Sequence, residues 1–363
     1  MAIADPVGEA DRVVRLKSIK GRMDRGLHLA FLGTAGGPLP LARAGTSTVL
    51  EIDGLTYVID AGAGMLRNFG LSGLSFRDVR GMFLTHMHSD HTADWFNFFL
   101  LQWNTWGDNH VDVFGPGPLH AGANTAEMHT VLPGMQDCLV HQLEANAADI
   151  TLRMRGEATR PFPGGPESDA MTVHDLPVHP DTSYDNRWPD SEPVTVYADD
   201  HVTVSAVQVR HGEIVPAYAF RFDTAHGSVV FSGDTAPCDN FARLCAGADV
   251  LVCEVLALPE SLAWIRTRTD AAALQTIQRH FVRAHVLLDA TSTDRGEPDQ
   301  PGIGHLAEES GAKTLVLTHL VPGDGSVASE VFRERAQQGF SGNVVVAEDL
   351  HRLTIDARIS AVH

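Results

Sequence analysis

Short apolar runs bounded by turn residues recur along this chain, and several alternate with the two-residue period of a half-buried strand. HLAFLGT at 28–34, TSTVLEID at 46–53, LTYVIDAG at 55–62 and MFLTH at 82–86 predict successive strands. Asp53-Gly54 lies between two of them and signals a tight hairpin, since both residue types accept positive φ. A second hairpin is predicted where YAFRFD and SVVFSGD flank the turn at 224–227. Further strands are predicted at 202–209 (VTVSAVQV), 249–255 (DVLVCEV), 314–320 (TLVLTHL) and 343–349 (NVVVAED). Helical patterning is scarcer and falls at 92–103, 122–130, 238–246, 270–288 and 327–338. The pattern as a whole predicts a sheet-rich core with helices outside it.

Two stretches break the pattern. Pro, Gly, Asp and Ser dominate 155–193, which reads as a long surface excursion, and DATSTDRGEPDQPG at 289–302 interrupts the C-terminal third. The 363 residues, 44 % of them hydrophobic, suffice to bury a substantial core. We expect an N-terminal extension at 1–27 and a single domain over 28–363, with insertions near 92–195 and 289–302.

Charge then narrows the partners. Forty-six acidic residues against 27 basic ones give a net charge of -19, which repels a phosphate backbone unless basic residues concentrate somewhere, and no basic run is visible. The expectation is therefore a small-molecule substrate, with no DNA and with tRNA disfavoured; a homodimer is left open. Four cysteines without a CxxC spacing read as reduced thiols. The N-terminal MAIADPVGEADRVVRLKSIKGRM has no continuous apolar region, and no run long enough to span a bilayer occurs, so a cytoplasmic protein without a membrane partner is expected.

Nineteen histidines are more than packing requires, and four potential ligands cluster in FLTHMHSDHTAD: His86, His88, Asp90 and His91, directly after an apolar strand. Imidazole nitrogens with a carboxylate are the donors zinc prefers. THMHSDH resembles the HxHxDH signature of the metallo-β-lactamase superfamily. That family pattern calls for a further histidine, an aspartate and a last histidine, each at a strand end, and His211, Asp234 and His319 stand there in order.

The resemblance implies an αββα sandwich of two mixed β-sheets flanked by helices, and two Zn2+ ions per chain. His86, His88 and His211 would hold one, Asp90, His91 and His319 the other, and Asp234 would bridge them. It places catalysis on Asp90, His88 and Asp234, with a metal-bound hydroxide as nucleophile. Asp60 resembles the family's buried aspartate that orients ligand side chains. FLGTAGGPLP, FSGDTAPC and LVLTHLVP look most like the branch holding ribonuclease Z, arylsulfatase and cyclic-nucleotide phosphodiesterase; Gly33, Gly36 and Gly37 would allow close backbone approach to the site.

Two departures shape the expected activity. Ribonuclease Z carries an RNA-binding arm between the third histidine and the bridging aspartate, yet His211 and Asp234 are only 23 positions apart. The family's HxT-type histidine, a leaving-group proton donor, falls on Ala290, which leaves His285, Glu297 and His305 as nearby candidates. Helical spacing assigns Phe96, Phe99 and Trp103 to the core and leaves Trp95, Phe98 and Trp106 for a pocket or an oligomer interface; Tyr184, Asn186, Arg187 and Trp188 would close over such a pocket. The favoured reading is a dinuclear metal-dependent hydrolase of a small organic ester: a phosphodiester, sulfate ester or lactone. The alternatives are a tRNA 3′-processing endonuclease, a hydrolytic dehalogenase of small aromatics, and a di-iron redox or sensor module.

Overall fold

The computed structural model describes residues 17–18, 25–37, 42–105, 109–120, 131–156, 171–292 and 299–355. Among these, two mixed sheets face one another. The first has eight strands in the order Lys17–Ser18, His351–Ile355, Leu27–Gly33, Ser47–Ile52, Leu55–Ile59, Val79–Phe83, Val111–Pro116 and Met171–Leu176. The second has seven: Val194–Ala198, Val202–Gln208, Tyr218–Thr224, Gly227–Phe231, Val250–Leu256, Thr314–Val321 and Asn343–Val346.

Three apolar layers explain why the sheets stack. Alternate residues of both inner faces, among them Phe31, Tyr57, Phe83, Phe220, Phe222 and Val316, interdigitate between the sheets. The outer face of the first sheet packs on helices Met65–Ser72, Trp95–Thr105 and Met135–Ala145 through Phe69, Phe98 and Leu139. The outer face of the second packs on Asp239–Cys245, Ile303–Ser310 and Ser329–Ala336 through Phe241, Ile303 and Phe332. Helix, sheet, sheet, helix is the αββα sandwich expected above. Each large side chain so buried stabilises the fold by roughly 1.5–3 kcal/mol relative to exposure.

Both sheets are antiparallel on one side and parallel on the other. The change comes at Leu55–Ile59 in the first and at Gly227–Phe231 in the second. The carboxyl ends of strands at such a switch are where open α/β sheets leave a crevice for ligands. At the opposite end sit the two tight hairpins. Asp53 and Gly54 have φ of 52° and 86°, and Ile52 pairs directly with Leu55. The Asp53 carboxylate accepts hydrogen bonds from Gly26 N and from His226 of the other hairpin, so the two tips are tied together.

Local pattern reading falls short in several places. Within the supposed excursion at 155–193, Met171–Leu176 forms the edge strand of the first sheet, paired parallel to Val111–Pro116. Its Met171, Val173 and Leu176 are buried, but flanking Pro and Gly mask so short a strand in the sequence. The strand read at 82–86 is Val79–Phe83, and Leu84 to His86 already belong to the turn that follows. The helix expected at 122–130 lies outside the described residues. No helix among the described residues is long and apolar enough to cross a membrane.

Candidate metal centre

The residues singled out for chemistry converge at the carboxyl ends of the parallel strands. His86, His88, Asp90 and His91 follow Val79–Phe83; Asp234 follows Gly227–Phe231; His319 lies inside Thr314–Val321; and His211 follows Val202–Gln208. Potential ligand atoms of His86, His88, His211 and Asp234 all lie within 4.8 Å of one another, as do those of Asp90, His91 and His319, and those of Asp234, Glu254 and His319.

Distances decide what such a cluster is for. His86 Nε2 lies 2.9 Å from His88 Nδ1, which lies 3.4 Å from His211 Nε2. Asp234 Oδ1 is 3.2 Å from Nε2 of both His91 and His319, and Asp90 Oδ2 is 3.6 Å from His319 Nε2. Donors on a tetrahedron with bonds of ~2.0–2.1 Å stand ~3.3 Å apart. His91 Nε2, His319 Nε2 and Asp234 Oδ1 are buried and form no hydrogen bond. A buried polar atom without a partner costs ~1–3 kcal/mol, so three aimed at one point fit a cation. The donor set, nitrogen with a few carboxylates, is one that zinc accepts.

Surrounding contacts fix the rings. Asp60, held in the left-handed region at φ 57°, accepts from Thr85 N at 2.8 Å and from His91 Nδ1 at 2.8 Å, which turns His91 Nε2 inward. Nδ1 of His211 donates to Ala284 O at 2.9 Å, with the same effect on its Nε2. Such partners set tautomer and orientation. His319 also has positive φ, 43°, a cost of order 1–3 kcal/mol that marks a position held in place by its surroundings. A Cβ on Gly36 would meet His319 Nδ1 at 2.3 Å, so only glycine leaves that ring its place. Gly37, at φ 87°, donates its N–H to Asp90 Oδ2.

Electrostatics divide the cluster in two. Burial holds His86 well below the usual imidazole range and pushes His211 down to about 3, so both rings are neutral near pH 7. Burial also lowers His88, against the pull of Asp234 and Asp90. At His91 burial works the same way but is outweighed by Asp234 and Asp60, which raise it well above the usual value. His319 is raised too, against its burial, by Asp234 and Asp90.

One pair was only half legible. Glu254, buried in Val250–Leu256, accepts from Thr235 N with one oxygen and bonds His285 Nδ1 at 2.7 Å with the other. Burial and the Asp234 carboxylate push Glu254 well above the usual carboxylate range. His285 lines the cavity beside the cluster. The signal for Glu254 was a lone carboxylate inside the apolar run DVLVCEV, which only a specific partner makes tolerable. Of the other donor candidates, His305 is exposed on Ile303–Ser310 and Glu297 lies outside the described residues. Ala290, where the motif reading put the donor histidine, is exposed.

The aromatic expectation needs correction. Trp95 and Phe98 are as buried as Phe96, Phe99 and Trp103, all in the layer between the first sheet and its helices, and none lines the cavity; Trp106 lies outside the described residues. All five rings belong to one buried apolar cluster, so the helix buries more than the single stripe that spacing assigned to it. Tyr184, Asn186, Arg187 and Trp188 do not line the cavity either. Arg187 pairs with Glu213 and Trp188 lies under the Arg210 guanidinium.

The fold and this cluster define a class, and comparison agrees: residues 41–246 match the family model of the metallo-beta-lactamase superfamily, to which the chain belongs as a hydrolase. It is 30 % identical over 335 residues to the ribonuclease Z of Mycobacterium bovis (strain BCG / Pasteur 1173P2), covering 92 % of this chain and 99 % of that relative. Human tRNase Z, short form, shares the fold at TM-score 0.56 and 19 % identity, over 90 % of this chain and 99 % of that one. The metallo-beta-lactamase fold protein YhfI from Bacillus subtilis does so at TM-score 0.53 and 17 % identity, over 89 % and 97 %. These relatives overturn the partner expectation drawn from charge, a small-molecule substrate with tRNA disfavoured, because a ribonuclease Z is matched along nearly its whole length. Net charge sums over the entire surface and says little about one face.

Proposed function

We propose that this protein is a cytoplasmic endonuclease of the ribonuclease Z kind, which cuts a phosphodiester bond in precursor tRNA at its 3′ side. The observation that carries the reading is the 30 % identity spanning 99 % of a ribonuclease Z. It takes precedence over the short interval between His211 and Asp234, which holds only the hairpin of Tyr218–Thr224 and Gly227–Phe231 in place of an RNA-binding arm. Other surfaces of this chain then hold the RNA.

In this reading His86, His88 and His211 would hold one zinc ion and Asp90, His91 and His319 a second, with Asp234 available to both. When bound, they supply nucleophilic water at neutral pH and offset charge on the phosphate. Asp90 stays ionised at the cluster, its Oδ2 positioned by a hydrogen bond from Gly37 N. His285, with Nδ1 bonded to Glu254, lines the cavity and would hand a proton to the leaving oxygen. The test is a labelled precursor tRNA with a 3′ trailer, incubated with zinc-loaded protein. One endonucleolytic cut is expected; an intact RNA in the presence of rapid ester turnover would sink the reading.

The two metal sites are expected to differ in their coupling to pH. His86, His88 and His211 have lowered pKa values, so a metal binding there displaces few protons at pH 7. His91 and His319 have raised ones, so a metal binding there must displace protons and weakens as pH falls. Calorimetric zinc titrations of metal-free protein, run in buffers of different ionisation enthalpy, read this directly. Equal proton release in both binding phases would show the division to be wrong.

A further inference from the structure

Beside the metal cluster opens a cavity of about 480 Å³. Helices Leu258–Arg266 and Ala271–Ala284 build one wall of it and present Trp264, Ile265 and Phe281. Among the described residues no lysine or arginine lines this space. Whatever enters meets on this side the apolar surface of Trp264, Ile265 and Phe281 with the uncharged Ser261 hydroxyl and the His280 ring beside it, while its charge is met at the cluster. The two helices are anchored by their own apolar cluster of Leu256, Leu258, Leu262 and Leu287, against which Leu274 and Phe281 pack. The wall is thus a fixed surface.

Trp264 is the unusual member. It is 41 % exposed, although an indole of this size is ordinarily covered. The Arg268 guanidinium carbon stands 4.1 Å from its ring centroid, and Arg268 is itself tied by hydrogen bonds to Trp264 O and Thr267 Oγ1, both at 2.8 Å. One face of the indole is thereby backed by a planar cation, and the ring also borders the cavity. A planar, uncharged group of nucleobase size matches that arrangement.

On the nuclease reading above, we infer that Trp264 is a stacking platform for the base of one of the two nucleotides joined by the scissile phosphate, with Ile265 and Phe281 completing an apolar base pocket. The phosphate is then placed from two sides: the cluster holds its charge and the platform holds its neighbouring base. Trp264 acts in specificity and touches no reacting atom.

The experiment compares wild type, Trp264→Ala and Trp264→Phe on precursor tRNA, on the same RNA made abasic at either nucleotide flanking the cut, and on methyl p-nitrophenyl phosphate, which has no base. Stacking on an aromatic side chain supports about a ten- to hundredfold effect. Trp264→Ala is expected to raise KM for the RNA by that factor while kcat holds, and Trp264→Phe to recover most of it. On one of the two abasic RNAs the alanine variant should cost nothing further. The ratio of RNA to base-free ester turnover should fall in step, which separates lost stacking from a misfolded variant. An unchanged RNA KM in Trp264→Ala, or a penalty that persists in full on both abasic RNAs, overturns the inference. If wild type turns over the ester and leaves the RNA whole, the nuclease reading itself has failed.

Discussion

On the proposed nuclease reading, Asp234→Ala is expected to lower cleavage of precursor tRNA by about a thousandfold or more, because the charge stabilisation a metal supplies is several kcal/mol and each ~1.4 kcal/mol is a factor of ten. Among the described residues no other carboxylate reaches so many members of the cluster. Its oxygens lie 4.0 Å from His86 Nε2, 3.7 Å from His211 Nε2 and 3.2 Å from both His91 and His319 Nε2. Alanine removes the only carboxylate common to both groups of ligands and leaves His91 and His319 facing each other without it. Elemental analysis of the purified variant should show metal lost along with activity. A variant that keeps both wild-type metal content and wild-type turnover would show that the shared carboxylate has no such role.

His285→Ala tests a different step. Donating a proton to a leaving group is worth about 10²–10⁴ in rate, and only where that group is too basic to leave alone. The variant should therefore lose about that much kcat on RNA, whose leaving oxygen is an alcohol, and little on a p-nitrophenyl ester, whose leaving group is stable as the anion. Glu254→Gln keeps the shape but weakens the 2.7 Å contact to His285 Nδ1, so a smaller loss with the same dependence on leaving group is expected. Equal losses on both substrates would mean that His285 supports the site only as packing.

How much of this was visible beforehand follows from where each requirement originates. Metal chemistry restricts residue types, and strand ends restrict position, so His86, His88, Asp90 and His91 stood out in six consecutive positions. His211, Asp234 and His319 are distant in sequence and became visible only through the family pattern. The Glu254–His285 contact joins residues 31 positions apart through a tertiary pairing that neither local segment announces. His285, the proposed donor, also sits ahead of the motif position, so matching by motif pointed at Ala290. Strand Met171–Leu176 escaped for a related reason. A short edge strand owes its existence to the neighbour it pairs with, here Val111–Pro116, more than to its own composition. Trp264 gave no sign at all, since a tryptophan in the apolar stretch Leu262 to Ile265 looks the same whether it faces a cavity, the core or bulk water.

The binding cluster draws its donors from both halves of the sandwich: His86, His88, Asp90 and His91 from the segment after one of the first sheet's strands, His211, Asp234 and His319 from the strand ends of the second. Neither layer can assemble it alone. The spacing between the layers, set by Phe83, Phe220 and Phe222 in the apolar filling, therefore also sets how far apart the opposing donors stand. Trimming one of those rings would let the two slabs settle closer, and the grip on metal would change although every donor remained in the chain.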